Sequence, residues 1–137
     1  MYYVIYEKAT GKVTSIGTCP DFVFSAQEPA DTNLGLIEAP SHSWEYYVDI
    51  SGLEPVIAQK TDFSLTVSSN TLLADGIEEV TVSNIPVGTL VTWPDGVETE
   101  VNDGQVVFSV DLVGEHTFKF SHVAHLTTTE VFTATEV

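Results

Sequence analysis

The chain contains no arginine, and its only cationic side chains besides histidine are four lysines, Lys8, Lys12, Lys60 and Lys119. Against them stand 20 acidic residues, for a net charge of −16 in 137 residues. A nucleic-acid binder displaces counterions from phosphates with cationic side chains, so this balance excludes DNA and RNA as expected partners. Anionic membrane surfaces are excluded on the same ground. The negative field also repels like copies, but salt screens it beyond about 8–10 Å. Assembly must therefore rest on short-range apolar and main-chain contacts, or on a basic partner. Cys19 is the sole cysteine, so no intrachain disulfide can form, and folding in a reducing cytoplasm is expected. No apolar run approaches the roughly 20 residues that span a bilayer. The segment Met1–Lys8 lacks the basic lead and apolar stretch of a signal peptide. The expectation is a protein made in the cytoplasm that stays soluble until it is assembled or released.

Recognisable chemistry is equally scarce. There is no Gly-rich phosphate loop after a strand, no nucleophile elbow, and no histidine near Cys19 in sequence. Nothing singles out a carboxylate pair for glycoside hydrolysis. His122-Val123-Ala124-His125 has a spacing that can bring two imidazoles to one metal, and His116 aligns with Phe118, Phe120 and His122 on one strand face. A third ligand is missing, and the plainer reading is a strand end with hydrogen-bonded or exposed histidines. His42 stands alone. The acidic positions Asp95, Glu98, Glu100, Asp103 and Asp111 have no ordered calcium spacing, and Asp-Gly is above all a turn signal. No catalytic residue, cofactor or metal is therefore expected.

What the sequence does hold is β pattern. Asp75-Gly76, Asp95-Gly96 and Asp103-Gly104 each separate segments rich in Val, Thr and Phe. Such dipeptides suit tight hairpins in which both central residues take positive φ. The strands read as Phe63–Ser68, Glu79–Asn84, Thr89–Trp93, Glu98–Val101, Gln105–Val110, Glu115–Ser121 and Glu130–Thr135. Phe63, Leu65 and Val67 share a face, as do Val80 and Val82, then Val106, Phe108 and Val110, then Phe118 and Phe120. About seven strands with this alternation predict an Ig-like β-sandwich over residues 60–137, in architecture only, since the Cys…Trp…Cys signature is absent.

Residues 1–59 read as a separate β mini-domain. Tyr2 to Glu7 and Lys12 to Thr18 form a hairpin around Ala9-Thr10-Gly11. An irregular stretch with room for a helical turn follows from Cys19-Pro20 to Asn33. Short strands then lie at Leu34–Glu38, Trp44–Ile50 and Leu53–Ala58, the last near an edge because of Pro55. The fold class is thus all-β, with Gln59-Lys60-Thr61-Asp62 as the linker. Tyr2, Tyr3, Tyr6, Trp44, Tyr46 and Tyr47 concentrate in the first 47 residues. A domain this small buries its own surface poorly, and Tyr and Trp are favoured interface anchors. Tyr3, Tyr6, Trp44, Tyr46 and Tyr47 are the candidate interface residues.

Tyr2-Tyr3-Val4-Ile5-Tyr6, Thr10-Gly11-Lys12-Val13 and Gly17-Thr18-Cys19-Pro20 resemble the opening of small virion proteins of tailed bacteriophages. Thr71 to Asp75-Gly76, Val80 to Thr89, Val91 to Gly96, Gly104 and Val113 to Phe118 resemble an Ig-like module of phage tail and fibre proteins. The resemblance implies a non-enzymatic virion component, associated with the tail tip or fibre. It would dock through residues 1–59 onto other virion structural proteins, in multiple symmetric copies. Capsid decoration and host-glycan recognition, with Trp93 as a contact, are the alternatives.

Overall fold

A computed structural model describes residues 1–137 as an all-β chain that divides into two units, Met1–Thr61 and Asp62–Val137. In the first unit, β1 (Tyr2–Glu7) lies between β2 (Val13–Thr18) and β3 (Leu34–Ala39), antiparallel to both. A hairpin of β4 (Tyr46–Asp49) and β5 (Val56–Gln59) completes it. The irregular stretch contains a short 3₁₀ helix at Asp21–Gln27. Alternation along β1 explains the layering: Val4 and Tyr6 enter a core shared with Val13, Ala39 and Val48, flanked by Ile16, Ile37 and Ile57. On the opposite face of β1 the Tyr3 ring meets Phe24 of the 3₁₀ helix, 6.4 Å between centroids.

Two tyrosine–glycine pairs fix the register of this sheet. Tyr3 pairs across the ladder with Gly17, and Tyr6 with Gly35. A Cβ at Gly17 would sit 2.4 Å from the Tyr3 ring, and one at Gly35 would sit 2.6 Å from the Tyr6 ring. Each ring therefore lies across a strand position that only glycine leaves open, which covers the bare backbone. Gly11, at φ +80°, binds the two layers together: its carbonyl accepts the Val48 N–H at 2.8 Å.

The second unit is a sandwich. One sheet has the order β10-β9-β12-β13-β7, from β7 (Thr71–Leu73), β9 (Thr89–Thr92), β10 (Glu98–Val101), β12 (Gly114–His122) and β13 (His125–Thr135). The other has the order β11-β8-β6, from β6 (Thr66–Val67), β8 (Val80–Ser83) and β11 (Val106–Phe108). Val80, Val82, Val106 and Phe108 from the smaller sheet meet Leu72, Val91, Val101, Phe118, Phe120, Phe132 and Ala134 from the larger one, with Ile85 from a loop. The Phe108, Phe118 and Phe132 rings contact one another at 4.5 to 5.5 Å, within the range of favourable tilted and edge-to-face pairs.

The structure corrects several expectations of detail. Only the segment around Asp95-Gly96 closes a hairpin, between β9 and β10. Asp75-Gly76 and Asp103-Gly104 instead carry the chain from one sheet to the other, joining β7 to β8 and β10 to β11. In none of the three does the aspartate take positive φ; only the glycine does. The reason is local. Asp75, Asp95 and Asp103 each accept, at Oδ1, the backbone N–H two residues on, a side-chain turn that needs no left-handed aspartate. The Gly96 N–H then bonds the Trp93 carbonyl at 2.9 Å. The strand expected at Phe63–Ser68 shrinks to Thr66–Val67, although Phe63 and Leu65 still pack on the core. The strand β7, parallel to β13, was not foreseen.

Candidate functional site

The five aromatic candidates of the first unit have different fates. Tyr6 is 5% exposed and belongs to the unit's own core. Tyr3 is half-buried, pinned over Gly17, with its hydroxyl directed at Gln27 Oε1 at 3.4 Å. Tyr6 is spent on the core, which corrects it as a surface anchor, whereas Tyr3 covers its cross-strand glycine and keeps part of its surface exposed. Tyr46 and Tyr47 are half-buried on β4, and the Tyr46 hydroxyl bonds Ser41 Oγ at 2.8 Å. Trp44, just before β4, is 56% exposed and remains available.

Residues that the aromatic pattern overlooked add to the exposed apolar side chains of this unit. Ile50, Leu53 and Val56, around the turn joining β4 to β5, are exposed, Leu53 fully so. Together with Pro55, Gly52, Lys8 and the edge of Tyr6, Ile50 and Leu53 line a shallow hollow of about 300 Å³. The expected strands Trp44–Ile50 and Leu53–Ala58 shorten to Tyr46–Asp49 and Val56–Gln59, because Gly52 and Pro55 widen the turn and leave Ile50 and Leu53 with no strand to carry them into a core. Tyr2 and Phe22 are exposed as well. The first unit therefore buries five large or small apolar side chains fully and leaves six large ones exposed, among them the chain's three exposed aromatics.

The second unit has one depression with an aromatic lining, about 360 Å³, at the end of the sandwich where the β9–β10 and β11–β12 connections meet. Half-buried Trp93 stands over it, its ring 5.2 Å from Phe118, with Phe108 behind. Asp95, Asp111, Ser109 and His116 form the polar part of the lining. Trp93 Nε1 donates to Thr99 Oγ1 at 2.8 Å, Ser109 Oγ donates to the Gly76 carbonyl at 3.1 Å, and His116 Nε2 lies 2.8 Å from the Leu112 carbonyl.

His122 and His125 do approach, with ring centroids 5.1 Å apart. Both nitrogens of His122 are already engaged: Nδ1 accepts the Ala124 N–H at 3.0 Å and Nε2 faces the Val87 carbonyl at 3.0 Å. His116 is held elsewhere by Leu112, and His125 stacks on Phe63 at 4.9 Å. The fold gathers no group of three His, Cys, Asp or Glu side chains with metal-binding geometry. Perturbed acids are few. Asp49 is held below the ordinary carboxylate range by the Ser51 hydroxyl and then the Ser51 N–H. Asp75 is lowered by the Glu78 N–H and then the Ile77 N–H. Both bind turns rather than a reacting group. No helix is long and apolar enough to cross a membrane.

No protein-family model matches the chain. No curated protein matches it either. A solved structure described as the "D00-D0 domain of Intimin" is similar, at 12% sequence identity and a TM-score of 0.35, over 95% of this chain and 98% of that one. The two share too little geometry for one to speak for the other.

Proposed function

We propose that this protein is a non-enzymatic structural component of a tailed-phage particle, located near the tail tip or fibre attachment. It docks through its first unit and leaves the acidic sandwich free. The observation that carries the reading is the inverted apolar balance of the first unit, which exposes more large apolar side chains than it buries. Covering such a surface with a neighbour removes apolar area from water at about 25 cal/mol per Å². The exposed apolar side chains include Trp44, Ile50, Leu53 and Val56, and Lys8 is the cation beside Ile50 and Leu53. Its partners are other virion proteins, and symmetric repetition strengthens a contact that is weak in one copy.

Particle incorporation tests the proposal. Trp44→Ala and Leu53→Ser, each folded by circular dichroism, are expected to be lost from purified particles. Incorporation at the level of the unaltered protein removes the docking assignment. Copy number per particle separates the two locations: a low number fits the tail tip, and a high one fits decoration of the head or tube.

A further inference from the structure

We propose that the depression beneath Trp93 is a binding site for an organic cation with an apolar stem, of the kind a lysine or arginine side chain of a basic partner protein presents. The inference concerns the second unit alone and stands independently of the docking surface of the first.

Three observations combine. The first is the lining: Trp93, backed by Phe118 and Phe108, offers an aromatic surface at the open end of the sandwich. The second is the state of the polar groups. The side-chain donors around the hollow are already committed, since the Trp93 indole N–H is taken by Thr99, the Ser109 hydroxyl by Gly76, and His116 Nε2 by Leu112. The acceptors are not. Asp95 uses only Oδ1, for the Val97 N–H, and the exposed Asp111 carboxylate has neither a hydrogen-bond nor an ion-pair partner. What remains is a concave site whose side chains offer free carboxylate oxygens and no free donor. Its complement is a group that only donates. Ammonium and guanidinium groups do so, and their methylene stems suit an apolar floor.

The third observation is the surrounding charge. The second unit carries twelve of the acidic residues and a single lysine, Lys119. An anionic ligand is repelled throughout this region. A cation is drawn toward it and gains attraction from the indole face. A neutral sugar, which usually needs donors as well as acceptors from its site, finds only acceptors among the side chains of this hollow.

The test is an NMR titration of the full chain with three probes: Nα-acetyl-lysine methylamide, its uncharged norleucine counterpart, and N-acetylglucosamine. The lysine probe is expected to shift the Trp93 indole N–H and the Asp111 and His116 amides saturably. Raising salt from about 0.05 M to about 0.5 M should weaken that binding at least about three-fold. Asp111→Asn, which breaks no internal bond, should weaken it about three-fold, whereas Glu136→Gln outside the hollow should leave it unchanged. Equal binding of the norleucine probe, tighter binding of the sugar, no saturable shift, or indifference to Asp111→Asn each overturns the proposal. Tighter binding of the sugar would reassign the hollow to neutral glycans.

Discussion

The two units of this chain solve the same problem of burying a β-sheet in opposite ways. Residues 62–137 close two sheets over twelve buried apolar side chains, four of them phenylalanines, and leave only aliphatic residues among their exposed large apolar groups. Residues 1–61 have five buried apolar side chains and must use Tyr3 and Tyr6 to cover glycines within their own sheet. Small domains bury a smaller fraction of their surface, so a thin core is expected of the first unit. What size does not explain is the placement of Trp44, Ile50 and Leu53 on the outside. The first unit exposes more large apolar side chains than it buries, and the second does not.

Matched substitutions in the two units sharpen this contrast. The largest effect is expected for Gly11→Ala, compared with Gly96→Ala. Both glycines have positive φ, but a Cβ at Gly11 would lie 1.9 Å from the Val48 carbonyl oxygen, whereas nothing lies within 4 Å of one at Gly96. Gly11→Ala should cost about 3 kcal/mol or more and unfold the first unit, with resonances of the second unchanged. Gly96→Ala should cost only the left-handed backbone penalty, about 1–2 kcal/mol. Equal melting of the two variants would refute the role given to Gly11.

Val4→Ala and Val91→Ala come next, since each removes the same atoms from a fully buried position. Both should cost about 2–3 kcal/mol by denaturant unfolding. The thinner core should show the loss as partial unfolding of the first unit at room temperature, while the sandwich stays folded. A Val91→Ala protein that unfolds first would reverse the ranking of the two cores. Trp44→Ala and Leu53→Ser should change stability by less than about 0.5 kcal/mol, because neither side chain packs in a core. A larger loss would mean that these residues serve the fold.

The smallest effect is in pH dependence. Asp49 and Asp75 have lowered folded-state pKa values, so their stabilisation is present above the ordinary carboxylate range, near 4. It is lost as pH falls through that range and below. Asp49→Asn should flatten the acid limb of the first unit's melting curve, and Asp75→Asn that of the second. Both side chains are only half-buried in surface turns, where water screens such contacts, so the effects should be slight.

Much of the architecture was legible because it is written locally. Period-two alternation placed Val80 and Val82, Val106 and Phe108, and Phe118 and Phe120 inward, and each pair is buried. The unseen strand β7 is three residues long and pairs in parallel with residues about sixty positions away, a contact with no local signature. The Asp-Gly turns were recognisable as turns, but which sheet the chain entered next depends on nonlocal packing. The surface was harder to read. Tyrosine content pointed to the first unit, yet the partners of Tyr3 and Tyr6 are Gly17 and Gly35, visible only once strand register is known. Ile50 and Leu53 read as ends of the strands Trp44–Ile50 and Leu53–Ala58, whereas β4 stops at Asp49 and β5 starts at Val56, which leaves both in the turn.

A cryo-EM reconstruction of the assembled particle with this chain traced is the most direct test of docking through the first unit. It should show Trp44, Ile50 and Leu53 covered by a neighbouring virion protein while the sandwich stays solvated. Density in which that face is bare, or in which the particle is held by residues 62–137 instead, would contradict the account.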